Sequence, residues 1–112
     1  MSMISKELLS EVLGGEVIQL NNISEVYGVH YEIQKMDGIK LQNINIHELA
    51  HKCKEWANSQ GYGLSVHTSE ISGYIVEINY AFDITDFHNT SEPEAIFKAC
   101  QWVLDNKDKW WT

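Results

Sequence analysis

The sequence predicts a single α+β domain, in which one antiparallel β-sheet carries two long helices on one face and a short helix near the N-terminus. Two long stretches have apolar residues at helical spacing, and several shorter stretches alternate between apolar and polar residues. The 112 residues have the length of one domain, and no internal repeat is evident. The predicted order of elements is α-β-β-β-α-β-β-α.

The chain begins with a short helix and a strand. Residues 5–13 place leucine and valine side chains on one side of a helix, and Gly14-Gly15 ends it. Residues 16–20 are predicted as a strand, and Asn21-Asn22 is a turn signal.

The next two strands are predicted to form a hairpin. Residues 25–34 alternate between apolar and polar residues. The apolar positions share one face and are Tyr27, Val29, Tyr31 and Ile33. Residues 36–38 (Met-Asp-Gly) are typical of a tight turn, and residues 39–42 form the returning strand.

The first long helix extends from Asn45 to Gln60. Asn45 and Glu48 have the spacing of a capping box, and Gly61 suits the C-terminal end of a helix. The apolar arc covers about 120° of the helical wheel and comprises Ile46, Leu49, Ala50, Cys53, Trp56 and Ala57.

Two strands follow this helix, and a third segment is open to two interpretations. Residues 62–68 are predicted to form a strand. Residues 74–82 are predicted to form a second strand, whose residues Tyr74, Val76 and Ile78 share one face. The apolar face of the second strand comprises Tyr74, Val76, Ile78, Tyr80 and Phe82. Residues 83–89 are either a short strand or a loop.

The last helix is the clearest element of the chain. Ser91 and Glu94 form a second capping box, and Pro93 falls in the first turn, where its missing N–H costs nothing. The apolar stripe comprises Ile96, Ala99, Cys100, Val103 and Leu104. Both long helices are therefore predicted to pack on the apolar face of the sheet.

The charge of the chain excludes some functions. There are 16 acidic residues and 8 basic ones, and every basic residue is a lysine. Because arginine supplies the fork that grips phosphates and base edges, its absence argues against direct nucleic-acid binding. No signal peptide and no apolar stretch of roughly 18 residues is present, which predicts a cytoplasmic protein without a membrane span.

Cys53 and Cys100 are the two cysteines, and each lies on the apolar stripe of its own helix. Buried free thiols are expected in a reducing compartment. A bridge between adjacent helices is the alternative.

Residues 47–51 (His-Glu-Leu-Ala-His) match the H-E-x-x-H motif, in which two imidazoles bind zinc and the glutamate activates water. On the helical wheel, His47 and His51 lie about 120–160° from the centre of the apolar arc, and Glu48 has a capping role. The possible third ligands are Glu70, Glu77, His30 and His67. We expect solvated surface histidines, no bound metal and no cofactor, with a zinc-dependent hydrolase as the alternative.

Two further features are candidate partner contacts. Residues 70–94 contain no base and six acids, which are Glu70, Glu77, Asp83, Asp86, Glu92 and Glu94. These acids form a solvated surface, or else a surface that binds a basic partner or imitates a nucleic-acid backbone. Trp110 and Trp111 either fold back onto the domain or contact a partner or a second copy.

The stretches NIHELAHKCKEWA (residues 45–57) and EPEAIFKACQWVLDNK (residues 92–107) resemble those of small uncharacterised prophage proteins with the phage α/β/α sandwich domain. The resemblance covers about residues 40–112. It implies a phage or prophage product in the cytoplasm of a bacterial host, and it implies no activity or site residues.

Together, these features predict a non-enzymatic protein-binding module whose partner is a host or phage protein. One alternative is an acidic host-defence inhibitor that acts by nucleic-acid mimicry, and another is the zinc-dependent hydrolase. The last alternative is a homodimer whose interface contains the two C-terminal tryptophans.

Overall fold

A computed structural model describes residues 4–24, 26–71, 73–80 and 83–107 of the chain. Within these residues the order of elements is α-β-β-β-α-β-β-β-α, which confirms the predicted α+β class. The elements are α1 (Lys6–Leu13), β1 (Val17–Ser24), β2 (Gly28–Lys35), β3 (Gly38–Ile44), α2 (Ile46–Ser59), β4 (Gly63–Ser69), β5 (Gly73–Tyr80), β6 (Asp83–Asn89) and α3 (Glu92–Asn106).

The six strands form two antiparallel sheets, so the expectation of a single sheet is wrong. Sheet 1 has the order β1-β2-β3, and sheet 2 has the order β4-β5-β6. Alternation of apolar and polar residues shows which face of a strand is buried, but it does not show whether two hairpins join edge to edge. Residues 83–89, for which the sequence allows a strand or a loop, form β6.

One hydrophobic core joins both sheets to the helices, as the amphipathic patterns predict. From the sheets it contains Val29, Tyr31, Ile33, Val76 and Ile78. From the helices it contains Leu8, Leu9, Leu49, Cys53, Ala57, Ile96, Phe97, Ala99, Cys100 and Val103. The shortest dimension of the molecule, 20 Å, is that of one layer of helices on one layer of sheet.

The two long helices begin at the predicted caps, Asn45 and Ser91, and Ser5 caps the short first helix. The side chains of Ser5, Asn45 and Ser91 each accept a backbone N–H of the first turn. At the other end of α2, Gly61 has φ of 90° in a Schellman turn, in which the Tyr62 N–H donates to the Ala57 carbonyl. None of the helices in the described residues is long and apolar enough to cross a membrane.

Two local expectations in the first hairpin are wrong. Asn21-Asn22, predicted as a turn, lies inside β1 beside the second of two register shifts in its pairing with β2. The chain turns after Ser24 instead, because the Ser24 Oγ accepts the N–H groups of Val26 and Tyr27 and holds the turn closed. Tyr27, predicted on the buried face of a strand, therefore lies in this turn and is exposed.

The two sheets are copies of one structural unit, so the chain does contain an internal repeat. Adding 45 to each residue number converts the register of β2 with β3 into that of β5 with β6. Val29 lies opposite Ile44 in the first unit, as Tyr74 lies opposite Asn89 in the second. Five of the ten residues in 24–33 are identical to their counterparts in 69–78.

The hairpin turn between the first two strands of each unit repeats as well. Gly28 and Gly73 both have φ of 82°. The Ser24 Oγ accepts the N–H of Val26, and the Ser69 Oγ accepts the N–H of Ile71. Each unit thus consists of a three-stranded meander, with a serine-closed turn between its first two strands, and the helix that follows it.

The two units meet between α2 and α3. The N-terminal residues of both helices line one cavity, so the helices begin at the same end of the molecule. Farther along, the Cys100 Sγ donates to the Cys53 carbonyl at 3.3 Å. The two helices therefore run side by side in the same direction, with a cysteine of each at the contact.

Candidate functional site

The outer edge of β3 is open to solvent. Residues 39–43 are all exposed, and among the described strands β3 pairs on one side only, with β2. Ile39 is 56% exposed and Leu41 is 71% exposed. The register places both on the face away from the core, beside Gln34 and Glu32 of β2. We call residues 36–44 the β3 edge; this segment includes the exposed Met36 of the preceding turn.

The other sheet edges differ from the β3 edge. β1 has two register shifts in its ladder, and such irregularities interrupt pairing. β4 contacts α2 and is only partly exposed over residues 63–66, whereas residues 39–43 of β3 are all exposed. β6, the counterpart of β3 in the second unit, carries Asp86 where β3 carries Leu41. A charge on an edge strand discourages pairing with another chain, and the charge that β3 carries, Lys40, is paired with Asp37 at 3.2 Å. Among the described strands, β3 therefore has the edge best suited to receive another strand.

Sequence reasoning missed this edge. The alternation of Ile39 and Leu41 with Lys40 and Gln42 was visible in the sequence. By itself, however, such a pattern assigns the apolar residues to a buried face. The structure places Ile39 and Leu41 outside, because their neighbours on β2 are the polar residues of its outer face. The signal that could have revealed this is the register of the Met-Asp-Gly hairpin turn.

Of the acidic residues that the sequence groups together, the structure brings Glu77 and Asp86 side by side and places Glu70 and Asp83 elsewhere. Glu77 lies directly opposite Asp86 on the outer face of sheet 2, and its carboxylate lies 3.5 Å from the His67 imidazole. Glu70 is exposed in the turn between β4 and β5, and Asp83 is the first residue of β6. The two like charges facing each other across β5 and β6 cost stability unless a cation or a basic group lies nearby.

The residues of the H-E-x-x-H motif lie on the exposed side of α2, as the helical wheel predicts. His47, Glu48 and His51 are all exposed, and the His51 Nε2 lies 2.8 Å from the Glu55 carboxylate. Burial, and to a lesser extent the charge of Glu48, raises the pKa of Tyr31 on β2. In the part of the chain that the structure describes, no three His, Cys, Asp or Glu side chains are grouped so as to hold a metal ion.

A cavity of about 360 Å³ lies where α2 and α3 begin. It is lined by Ile46, His47, Tyr74, Thr90, Ser91, Glu92 and Pro93. Helix N-termini favour anions, but here Glu92 contributes an acidic side chain to the wall and Pro93 lacks an N–H. The cavity marks the boundary between the two units and has no arrangement typical of a ligand site.

The two thiols are free and buried, as the sequence predicts. Both residues are 0% exposed. Hydrogen bonding with the Cys100 thiol, followed by burial, raises the pKa of Cys53 far above its usual range. Because the thiolate is the reactive form of cysteine, the raised pKa disfavours reaction of Cys53, and burial keeps reagents away from both thiols.

We therefore expect native Cys53 and Cys100 to react with a thiol reagent at pH 8 at least about 100-fold more slowly than the same residues in guanidinium chloride, because reaction requires opening of the core. Timed alkylation read by mass spectrometry measures both rates. Equal rates in the two conditions would show that the contact between α2 and α3 is open in solution.

The raised pKa also sets the direction of a pH effect on stability. The folded protein favours the protonated Cys53 thiol, so this contribution is complete below the unfolded pKa of about 8.5 and is lost as the pH rises above it. The free energy of unfolding should therefore be lower at pH 10 than at pH 7.

The remaining sequence candidates and the family resemblance gain no further evidence. Trp110 and Trp111 lie outside the described residues. The resemblance to prophage proteins stays a prediction. Comparisons of the chain with protein-family models, with curated proteins and with solved structures find no match.

Proposed function

We propose that this chain is a non-enzymatic protein-binding module that binds its partner along the β3 edge. The observation that carries the proposal is the pair of apolar side chains, Ile39 and Leu41, on an uncovered strand with a regular ladder. An exposed apolar edge strand is a liability in a protein that does not use it, since it promotes uncontrolled pairing.

Strand addition explains how this edge would bind. The outward N–H and C=O groups of β3 supply main-chain hydrogen bonds to an extended segment of the partner. Ile39 and Leu41 supply the side-chain contacts on the outer face, where every second residue of the partner segment would meet them. Backbone pairing gives affinity, and the two apolar side chains select the partner sequence.

The cellular setting is part of the proposal. The resemblance of α2 and α3 to prophage proteins supports a role in the cytoplasm of a bacterial host, with a host or phage protein as the partner. The acidic charge and the absence of arginine support a protein partner over direct contact with nucleic acid.

A second candidate function rests on the facing carboxylates of sheet 2. Glu77 and Asp86 lie side by side on the outer face, as the phosphates of a nucleic-acid backbone do. Inhibition of a nucleic-acid-binding host protein by this face would weaken steeply with salt. Binding that is unchanged in Glu77→Gln and Asp86→Asn variants would remove this candidate.

The main proposal is tested by crosslinking in the cell. A photoreactive phenylalanine analogue is placed at Leu41 in one variant and at Asp86, the equivalent position of the second unit, in the control. We expect discrete adducts from position 41 and none from position 86. The same adducts from both positions, or none from position 41, would refute binding at the β3 edge.

A further inference from the structure

We infer that the partner at the β3 edge is a second copy of this chain, paired antiparallel through β3 with the molecular two-fold axis at Leu41. This inference rests on the proposed function and specifies the partner. The pairing would join sheet 1 of one copy to sheet 1 of the other, giving one continuous six-stranded sheet.

The residues of β3 select this register. A two-fold axis at Leu41 places Leu41 opposite its own copy, and Lys40 of each chain opposite Gln42 of the other. Ile39 then lies opposite Asn43 on the outer face. An axis one residue earlier would place Lys40 opposite Lys40, and like charges directly opposite each other are destabilising. The lysine therefore disfavours the register one residue earlier, and an axis at Leu41 instead pairs the two exposed leucines with each other.

The local charge of the edge allows a second copy to approach. The whole chain has a formal charge of −8, so two copies repel each other over most of their surfaces. Residues 35–45 contain two lysines and one aspartate, and are therefore slightly positive. Lys40 and Asp37 already pair with each other at 3.2 Å. The β3 edge is thus a region where two acidic chains approach without facing rows of acids.

The closest acids on the paired sheet are far enough apart to be screened. Glu32 of β2 lies beside Leu41 on the outer face. In the dimer, the two copies of Glu32 would be separated by three strand spacings, about 14 Å. This distance exceeds the Debye length of about 8 Å at physiological salt.

The remaining edges keep the assembly at two copies. β1 is interrupted by two register shifts, and β6 carries Asp86 at the position equivalent to Leu41. Pairing of β3 with β3 uses the same surface of both chains, so it consumes the available edge and closes.

The first test measures mass in solution by light scattering during size-exclusion chromatography. We expect the wild-type chain at twice its mass of 12.9 kDa. Leu41→Lys should give the single-chain mass, and the matched variant Asp86→Lys should keep the doubled mass. Leu41 is 71% exposed, so Leu41→Lys should leave the thermal unfolding of the monomer intact. A doubled mass that survives Leu41→Lys would overturn the inference.

The second test reads the register. Facing residues at the two-fold axis have Cβ atoms about 4.5–5.5 Å apart, so Leu41→Cys should form an intermolecular disulfide with oxidised glutathione. Ile39→Cys is the control, because the two copies of residue 39 would lie four residues apart along the paired strands. A disulfide that forms equally fast at residue 39 would refute the proposed register.

The crosslinks at position 41 separate the two levels of the proposal. An adduct of doubled chain mass supports the second copy. A single-chain mass in solution, together with an adduct to a different protein, would refute self-pairing and leave the proposed function standing. A single-chain mass without any adduct would refute both.

Discussion

Replacing Gly28 with alanine is expected to lower the free energy of unfolding by at least about 3 kcal/mol. We expect few other substitutions that add one methyl group to this chain to cost as much. Gly28 has φ of 82°, a conformation that L side chains rarely adopt. A Cβ at this position would lie 2.3 Å from the Ile44 carbonyl oxygen, so the first residue of β2 and the end of β3 would have to separate. Urea denaturation followed by circular dichroism measures the loss.

Two other glycines are matched controls for this prediction. At Gly73, the counterpart of Gly28, a Cβ would lie 2.9 Å from the Asn89 carbonyl oxygen, and the loss from Gly73→Ala should be large but smaller. At Gly61, φ is 90° and nothing lies within 4 Å of a Cβ, so Gly61→Ala should cost only the conformational strain, about 1 kcal/mol. Equal losses at Gly28 and Gly61 would show that the close approach to Ile44 is absent in solution.

The second large effect is expected at the buried isoleucines of the two central strands. Ile33 and its counterpart Ile78 are 1% and 0% exposed and lie in the common core. Ile33→Ala and Ile78→Ala should each reduce the free energy of unfolding by about 2–5 kcal/mol, because each leaves a cavity in packed surroundings. The spread within this range depends on how far the neighbouring side chains can move in.

Ile39 and its counterpart Ile84 provide the comparison, since the same substitution removes the same atoms at exposed sites. Both face the outside of their sheets, and Ile84 is 64% exposed. Ile39→Ala and Ile84→Ala should change the stability of the monomer by no more than about 0.5 kcal/mol. A large loss at either site, measured at a concentration where the chain is monomeric, would contradict the outer faces described for the sheets.

The helices could be predicted from the sequence because their determinants are local. Ser5, Asn45 and Ser91 each lie next to the backbone N–H groups that they cap, so the spacing of a few residues is sufficient. The burial of Val76 and Ile78 was likewise visible, because strand alternation reports directly on the two faces of a strand.

The arrangement of the strands could not be predicted in the same way. Whether a further strand pairs with the outer edge of β3 depends on contacts between residues that are distant in the sequence. Such contacts leave no local sequence pattern. Asn21-Asn22 has turn chemistry, yet tertiary pairing with β2 keeps it inside β1. The repeat has a weak sequence signal because its identities are few and concentrated in the first turn and central strand of each unit.

The candidate site was the least predictable part. The sequence drew attention to His47 and His51, which form a recognised motif, and to the acids of residues 70–94. The β3 edge has no motif, because its importance lies in the absence of neighbouring structure. Exposure of Leu41 follows from where sheet 1 ends, and the end of a sheet is a property of the whole fold.

Because both units of the repeat lie in one polypeptide, the equivalent edge strands β3 and β6 can carry different residues. A protein built from two separate, identical units would carry the same residue on both edge strands. A leucine that favours pairing on the first edge strand would then also be present on the second. Each assembly would then offer two adhesive ends and could grow into an open-ended fibre. In this chain β6 carries Asp86 where β3 carries Leu41, so the pairing that we propose would end at two copies without a separate capping protein.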